Sequence, residues 1–136
     1  MTYAVSAAVQ AAVFQALSED VDLSALVGEA IYDEVPSGVL PKVCVVLGPE
    51  TVLDRSDATG SGTLHQLTIS VISKAAGFAF AKTVAGAVSD ALARPMTLDR
   101  GQLVYLNFDR ADARRSGRSA ALRQIDLRFR ARVDDV

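Results

Sequence analysis

Apolar residues recur at helical spacing near the start of the chain, where Val5, Val9, Ala12, Val13, Ala16 and Leu17 fall on one side of a helix predicted over Tyr3 to Leu17, with Thr2 as its N-cap. Its many alanines let another backbone come close, so a sheet is the expected partner. A short helical turn, Leu23 to Val27, is expected to end at Gly28, a residue suited to the left-handed position beyond a helix. The helical period returns in Phe78, Ala81, Val84, Ala85, Val88 and Leu92, between Gly77 and Pro95.

Between and after these helices the pattern changes to that of strands. Ile31 and Tyr32 begin an extended segment that Pro36, Gly38 and Pro41 turn into a loop. Lys42 to Leu47 is rich in β-branched residues and reads as a strand buried on both faces, with Glu50 to Leu53 continuing it after a kink or bulge. Asp54 to Gly62, DRSDATGSG, holds turn-favouring residues and no large apolar one, which predicts a flexible hairpin loop. From Thr63 to Ser73 the chain alternates, with His65, Leu67, Ile69 and Val71 on one face and Gln66, Thr68 and Ser70 on the other. Two last strands are predicted at Leu103 to Ala111 and Ala121 to Val133, joined by a turn built from Arg114, Arg115, Ser116, Gly117 and Arg118. In the second, Ile125, Leu127, Phe129, Ala131 and Val133 point one way, and Gln124, Asp126, Arg128, Arg130 and Arg132 the other.

This order describes an α+β fold, a mainly antiparallel sheet with two main helices packed on one face. Its 136 residues suit a single domain, 1–136, that buries roughly two thirds of the surface its unfolded chain exposes. Cys44 is the only cysteine, so neither an intrachain disulfide nor a cysteine-based zinc site can form within one chain, and intracellular assembly is expected. The apolar N-terminus has no preceding Lys or Arg and is interrupted by Gln10 and Gln15, unlike a targeting segment. No run approaches the ~18 apolar residues of a membrane span.

Charge changes the picture more than composition does. Met1 to Pro41 carries Glu19, Asp20, Asp22, Glu29, Asp33 and Glu34 with no Lys or Arg. Arg110 to Arg132 carries Arg110, Arg114, Arg115, Arg118, Arg123, Arg128, Arg130 and Arg132 against Asp112 and Asp126. Opposite signs at the two ends admit either two solvated faces or head-to-tail self-association, in which different surfaces of successive copies meet and can close a ring.

No catalytic template matches. His65, the only histidine, lies on an apolar strand face, where a satisfied, partly buried imidazole is expected rather than a base. Gly60-Ser61-Gly62 lies between two strands and lacks the helix entrance of a phosphate loop, and no nucleophile elbow, Walker lysine or dinucleotide fingerprint is present. Asp54 and Asp57 are the nearest carboxylate pair, in a solvated loop where nothing separates their pKa values. No metal cluster or cofactor site is expected. Arg128, Arg130 and Arg132 recur at roughly 6.5–7 Å along their strand, forming a row that either meets phosphate or is a solvated face that blocks edge pairing.

Four stretches, Leu26-Val27-Gly28 followed by Ile31-Tyr32-Asp33, PKVCVVLG from Pro41, GSGTLHQLTISVIS from Gly60 and IDLRFRARV from Ile125, together resemble the small tail-completion or tail-terminator proteins of long-tailed phages and related gene transfer agents. The resemblance implies a non-enzymatic subunit of a hexameric ring at the head-proximal end of the tail tube. There it would stop polymerisation of the tube protein and join the head-completion, or stopper, protein. It also implies assembly in the bacterial cytoplasm, a place in the tail or neck of the particle, and DNA passing through the lumen without sequence-specific binding. Candidate interaction surfaces are Asp54, Arg55 and Asp57 of the loop, Arg114, Arg115 and Arg118 of the turn, the acidic N-terminal third and the row Arg128, Arg130 and Arg132. Alternatives are a head-side stopper or adaptor ring of the same neck, a small nucleic-acid-binding module, and a small enzyme dependent on His65.

Overall fold

Alternation of apolar and polar side chains along Gly62–Ser73 and Leu122–Asp134 decides which way those two strands face, and the helices cover the apolar side. The computed structural model describes residues 2–57 and 60–135. In chain order the elements are α1 (Ser6–Glu19), α2 (Val21–Val27), β1 (Ile31–Tyr32), β2 (Val43–Asp54), β3 (Gly62–Ser73), α3 (Ala79–Leu92), β4 (Gln102–Ser116) and β5 (Leu122–Asp134). The strands form one five-stranded sheet in the order β1-β2-β3-β5-β4, antiparallel except where β1 runs parallel to β2.

The main core lies between the helices and one sheet face. Val9, Val13 and Leu17 of α1, Leu23 of α2 and Val84, Val88 and Leu92 of α3 meet Val45, Val71, Leu127, Phe129, Ala131 and Val133 there. Since Ala131 and Val133 are wholly buried while Arg128 and Arg130 are exposed, β5 has the predicted two-sided character. The expected burial of the Lys42 to Leu47 segment on both faces also holds, because Cys44 and Val46 join Ala30 and Ile72 in a second apolar cluster on the other side. Burial also pushes the Cys44 thiol pKa up, which keeps it protonated and inert. The predicted bulge falls between Leu47 and Glu50.

Several boundaries differ from those expected. Helix α1 starts at Ser6 rather than Tyr3, and Thr2 caps no helix: its Oγ1 accepts from the Ala4 N–H at 3.0 Å, within a preceding turn. Asp20, counted among the surface acids, is buried; it caps α2 by accepting from Leu23 N–H at 2.8 Å and pairs with Arg94 at 2.6 Å. Gly28 has the expected positive φ of 62°, but its ψ of −128° lies outside the left-handed helical region, in territory open chiefly to glycine. Strand β4 runs on to Ser116, so Arg114 and Arg115 belong to a strand paired with Gln124 and Arg123, not to the turn. The turn begins at Gly117, φ 76°, and passes through Arg118 to Ala120.

Candidate interaction surfaces

On the sheet face away from the helices, β5 presents the expected arginine row. Arg128 lies between Thr68 and Arg110, Arg130 between Gln66 and Asn107, and Arg132 between Leu64 and Tyr105. The strand is interior, covered by β4 on its outer side, so the row does not guard a sheet edge as the sequence suggested. Two of its members have local partners: Arg130 reaches Asp109 at 3.7 Å and Arg132 reaches Asp134 at 3.1 Å. Arg128 has no ion pair among the described residues, and it stands directly opposite another arginine, Arg110.

Asp126 anchors the same face. It accepts from Ser70 Oγ at 2.6 Å, Gln124 Nε2 at 2.9 Å and Arg114 Nε at 3.2 Å. Burial works to raise its pKa, but these three hydrogen bonds outweigh burial and hold the carboxyl below the ordinary range. Arg114 is therefore half committed to the fold, while Arg115 and Arg118 make no ion pair among the described residues and remain exposed.

The loop from Asp54 to Gly62 is a hairpin braced by its own backbone. Arg55 N–H donates to Gly62 O at 2.8 Å and Asp57 N–H to Gly60 O at 3.0 Å, while Asp54 accepts from Ser56 N–H at 2.9 Å. That contact with Ser56 holds the Asp54 carboxyl below its usual pKa. Ala58 and Thr59 lie outside the described residues. Asp54, Arg55 and Asp57 thus share one exposed loop, with Asp54 and Arg55 linked through the Asp54 carbonyl at 3.0 Å.

His65 departs from its expected state, being fully buried and only half satisfied. Its Nε2 shares a 2.9 Å hydrogen bond with Thr63 Oγ1, whereas Nδ1 has no hydrogen-bond partner and stands 3.8 Å from Glu50 Oε2, too far for one. Desolvation pushes the His65 pKa down against the pull of Glu50, so the ring is neutral at pH 7. Glu50 is instead held by Tyr3, whose hydroxyl donates at 2.6 Å, and by Ser6. This cluster ties the start of α1 to the bulge in β2. Its reach across 47 residues of chain left no periodic signal in the sequence.

Two further features escaped sequence reasoning because they depend on strand order. Strand β4 forms one outer edge of the sheet over 15 residues, with Val104, Tyr105 and Phe108 exposed. The other edge is β1, beside a groove of about 890 Å³ floored by Ala7, Ala11 and Phe14 of α1 and rimmed by Tyr32, Asp33 and Glu34. The exposed aromatics in the β4 pattern were the available clue.

Among the described residues no group of three or more His, Cys, Asp or Glu could hold a metal, and no helix is long and apolar enough to cross a membrane. Polar chemistry in this α+β fold is spread over sheet faces, edges and a hairpin. The family model of "Tail completion protein gp17" matches residues 11–134, and the chain belongs to that family, whose members are structural components of phage-type tails. It is also similar to a solved chain from the "Virion of native gene transfer agent (GTA) particle", with 57% identity, a TM-score of 0.90, and coverage of 98% of this chain and 99% of that one. No curated protein sequence matches the chain.

Proposed function

We propose that this chain is a non-enzymatic ring subunit that caps the head-proximal end of a tail tube. The ring is hexameric, stops addition of further tube subunits, and offers its other surface to the head-completion, or stopper, protein. Its 136 residues act as a single domain. Particles assemble in the bacterial cytoplasm, and DNA passes through the ring without sequence-specific contact.

The observation that carries this reading is the similarity, over nearly the full length of both chains, to a component of a gene transfer agent virion. Family membership supports it. The mechanism is steric: a surface that matches the last tube ring is backed by one that does not, so polymerisation ends. Candidate contacts are the hairpin with Asp54, Arg55 and Asp57 and the turn with Arg118, because each lies exposed at or beyond the end of a strand pair. The arginine row, with Arg128, Arg130 and Arg132 on an open face, suits contact with a neighbour or with passing phosphate.

Tube protein polymerised with and without this chain provides the test. The expected outcome is shorter tubes, each carrying the protein at one end only. Tubes of unchanged length with no end-bound protein would reject the reading, and binding only to head-side connectors would favour the stopper or adaptor role.

A further inference from the structure

The sheet register places part of each charged region, Glu29, Asp33 and Glu34 beside β1 and Arg110, Arg114 and Arg115 on β4, at opposite edges and at the same height. Ile31, Val45, Val71, Ile125 and Ala113 form one row across all five strands, and Tyr32, Val46, Ser70, Asp126 and Asp112 form the next. Glu29 precedes the first row and Asp33 follows the second, so β1 is flanked by exposed carboxylates, Glu34 included, that take no ion pair among the described residues. At the far edge the same rows are flanked by Arg110, Arg114 and Arg115.

Resting on the ring proposed above, we infer that its subunits join edge to edge: the Arg110–Ser116 part of β4 in one copy docks against β1 and its acidic-rimmed groove in the next copy. Three observations favour a second copy as the occupant. The two edges have complementary charge at matching heights, and complementary charge orients an encounter and fixes its register. Beyond the bulge between Phe108 and Arg110, β4 pairs without interruption to Ser116, which leaves one side of its backbone free to accept a strand. Finally, Arg115 stands directly opposite Arg123, a like-charge pair that an acidic neighbour would relieve, whereas Arg110, opposite Arg128, already has Asp112 at 3.6 Å. Joining different edges of identical copies is a heterologous contact, the kind that closes a ring when the rotation fits.

Charge reversal tests the pairing, with native mass and sedimentation as readouts and tail tubes present. One variant carries Arg110→Glu and Arg115→Glu, the other Glu29→Arg and Glu34→Arg. Each alone should lose ring assembly, with association weakened at least about tenfold. An equimolar mixture should regain it, because acidic and basic copies alternate around an even-numbered ring. Thermal unfolding midpoints should stay near that of the wild type. If the double variant unfolds, Arg115→Glu alone carries the test, since it replaces a like-charge pair with an opposite one. Variants that assemble singly as the wild type does, or a mixture that stays dissociated, would overturn the edge assignment while leaving the ring. A wild-type chain that remains monomeric with tubes present would overturn both.

Discussion

The two faces of the sheet divide the labour of this molecule differently. On the helix side, Phe129, Ala131 and Val133 are buried against α1 and α3, and burial of such side chains is where folding free energy comes from. On the other side, the same strand shows Arg128 and Arg130 to solvent, with Asp126 held in a small polar network. One strand thus serves the core with its odd-numbered residues, while its even-numbered ones, from Asp126 to Arg132, face the open side, where contact with a partner is proposed. The comparison teaches where a substitution should harm folding and where it should harm assembly alone.

Phe129→Ala should have the largest effect on stability, about 3–5 kcal/mol by urea denaturation, because it empties the core beneath α3 and removes the edge contact with Phe108, 5.9 Å between ring centres. A cost near zero would mean that the helix face is not the stabilising one. Asp126→Ala comes next, at about 1–3 kcal/mol, since it strands Ser70 and Gln124 and frees Arg114. The open face would then contribute to folding at this one position.

A pH series sharpens the comparison on the buried side. The folded pKa of His65 lies below its ordinary value of 6.5, so folding favours the neutral ring. Its contribution is intact above that value and is lost as pH falls through it toward the folded pKa, with a slope of at most about 1.4 kcal/mol per pH unit. His65→Leu should flatten this acid slope in denaturation curves measured between pH 7 and 5; an unchanged slope would place its cause elsewhere. Asp126 acts at lower pH, because its depressed pKa supplies stability above 3.8 that disappears as the carboxyl protonates. The smallest effect is expected for Arg128→Ala, within about 0.5 kcal/mol, as that side chain makes no ion pair among the described residues.

Much of the fold was legible because local pattern carries it: the two faces of β3 and β5 follow from side-chain period, the doubly buried start of β2 from its β-branched run, and the break after Leu47 from Gly48 and Pro49. The end of β4 was not legible. Arg114 to Gly117 has turn composition, yet cross-strand pairing with Gln124 and Arg123 keeps its first residues extended. Membership of the arginine row was readable, but its interior position was not, because strand order is a property of distant pairings. For the same reason the acidic and basic regions could be seen as opposite in sign, but not that Glu29, Asp33 and Glu34 flank one edge of the sheet and Arg110, Arg114 and Arg115 lie on the other. Helix α1 begins at Ser6, after a turn in which Ser6 N–H donates to Tyr3 O at 3.0 Å, and both Tyr3 and Ser6 donate to Glu50, a partner no nearby residue announces.

The central claim is that this chain ends a tail tube as a ring. Mass measurement and projection imaging of the purified protein, with and without tail tubes, test it most directly. The account predicts a closed ring with the mass of six 14.4 kDa subunits, seated at one end of each tube. A strict monomer that never binds tube ends would contradict it.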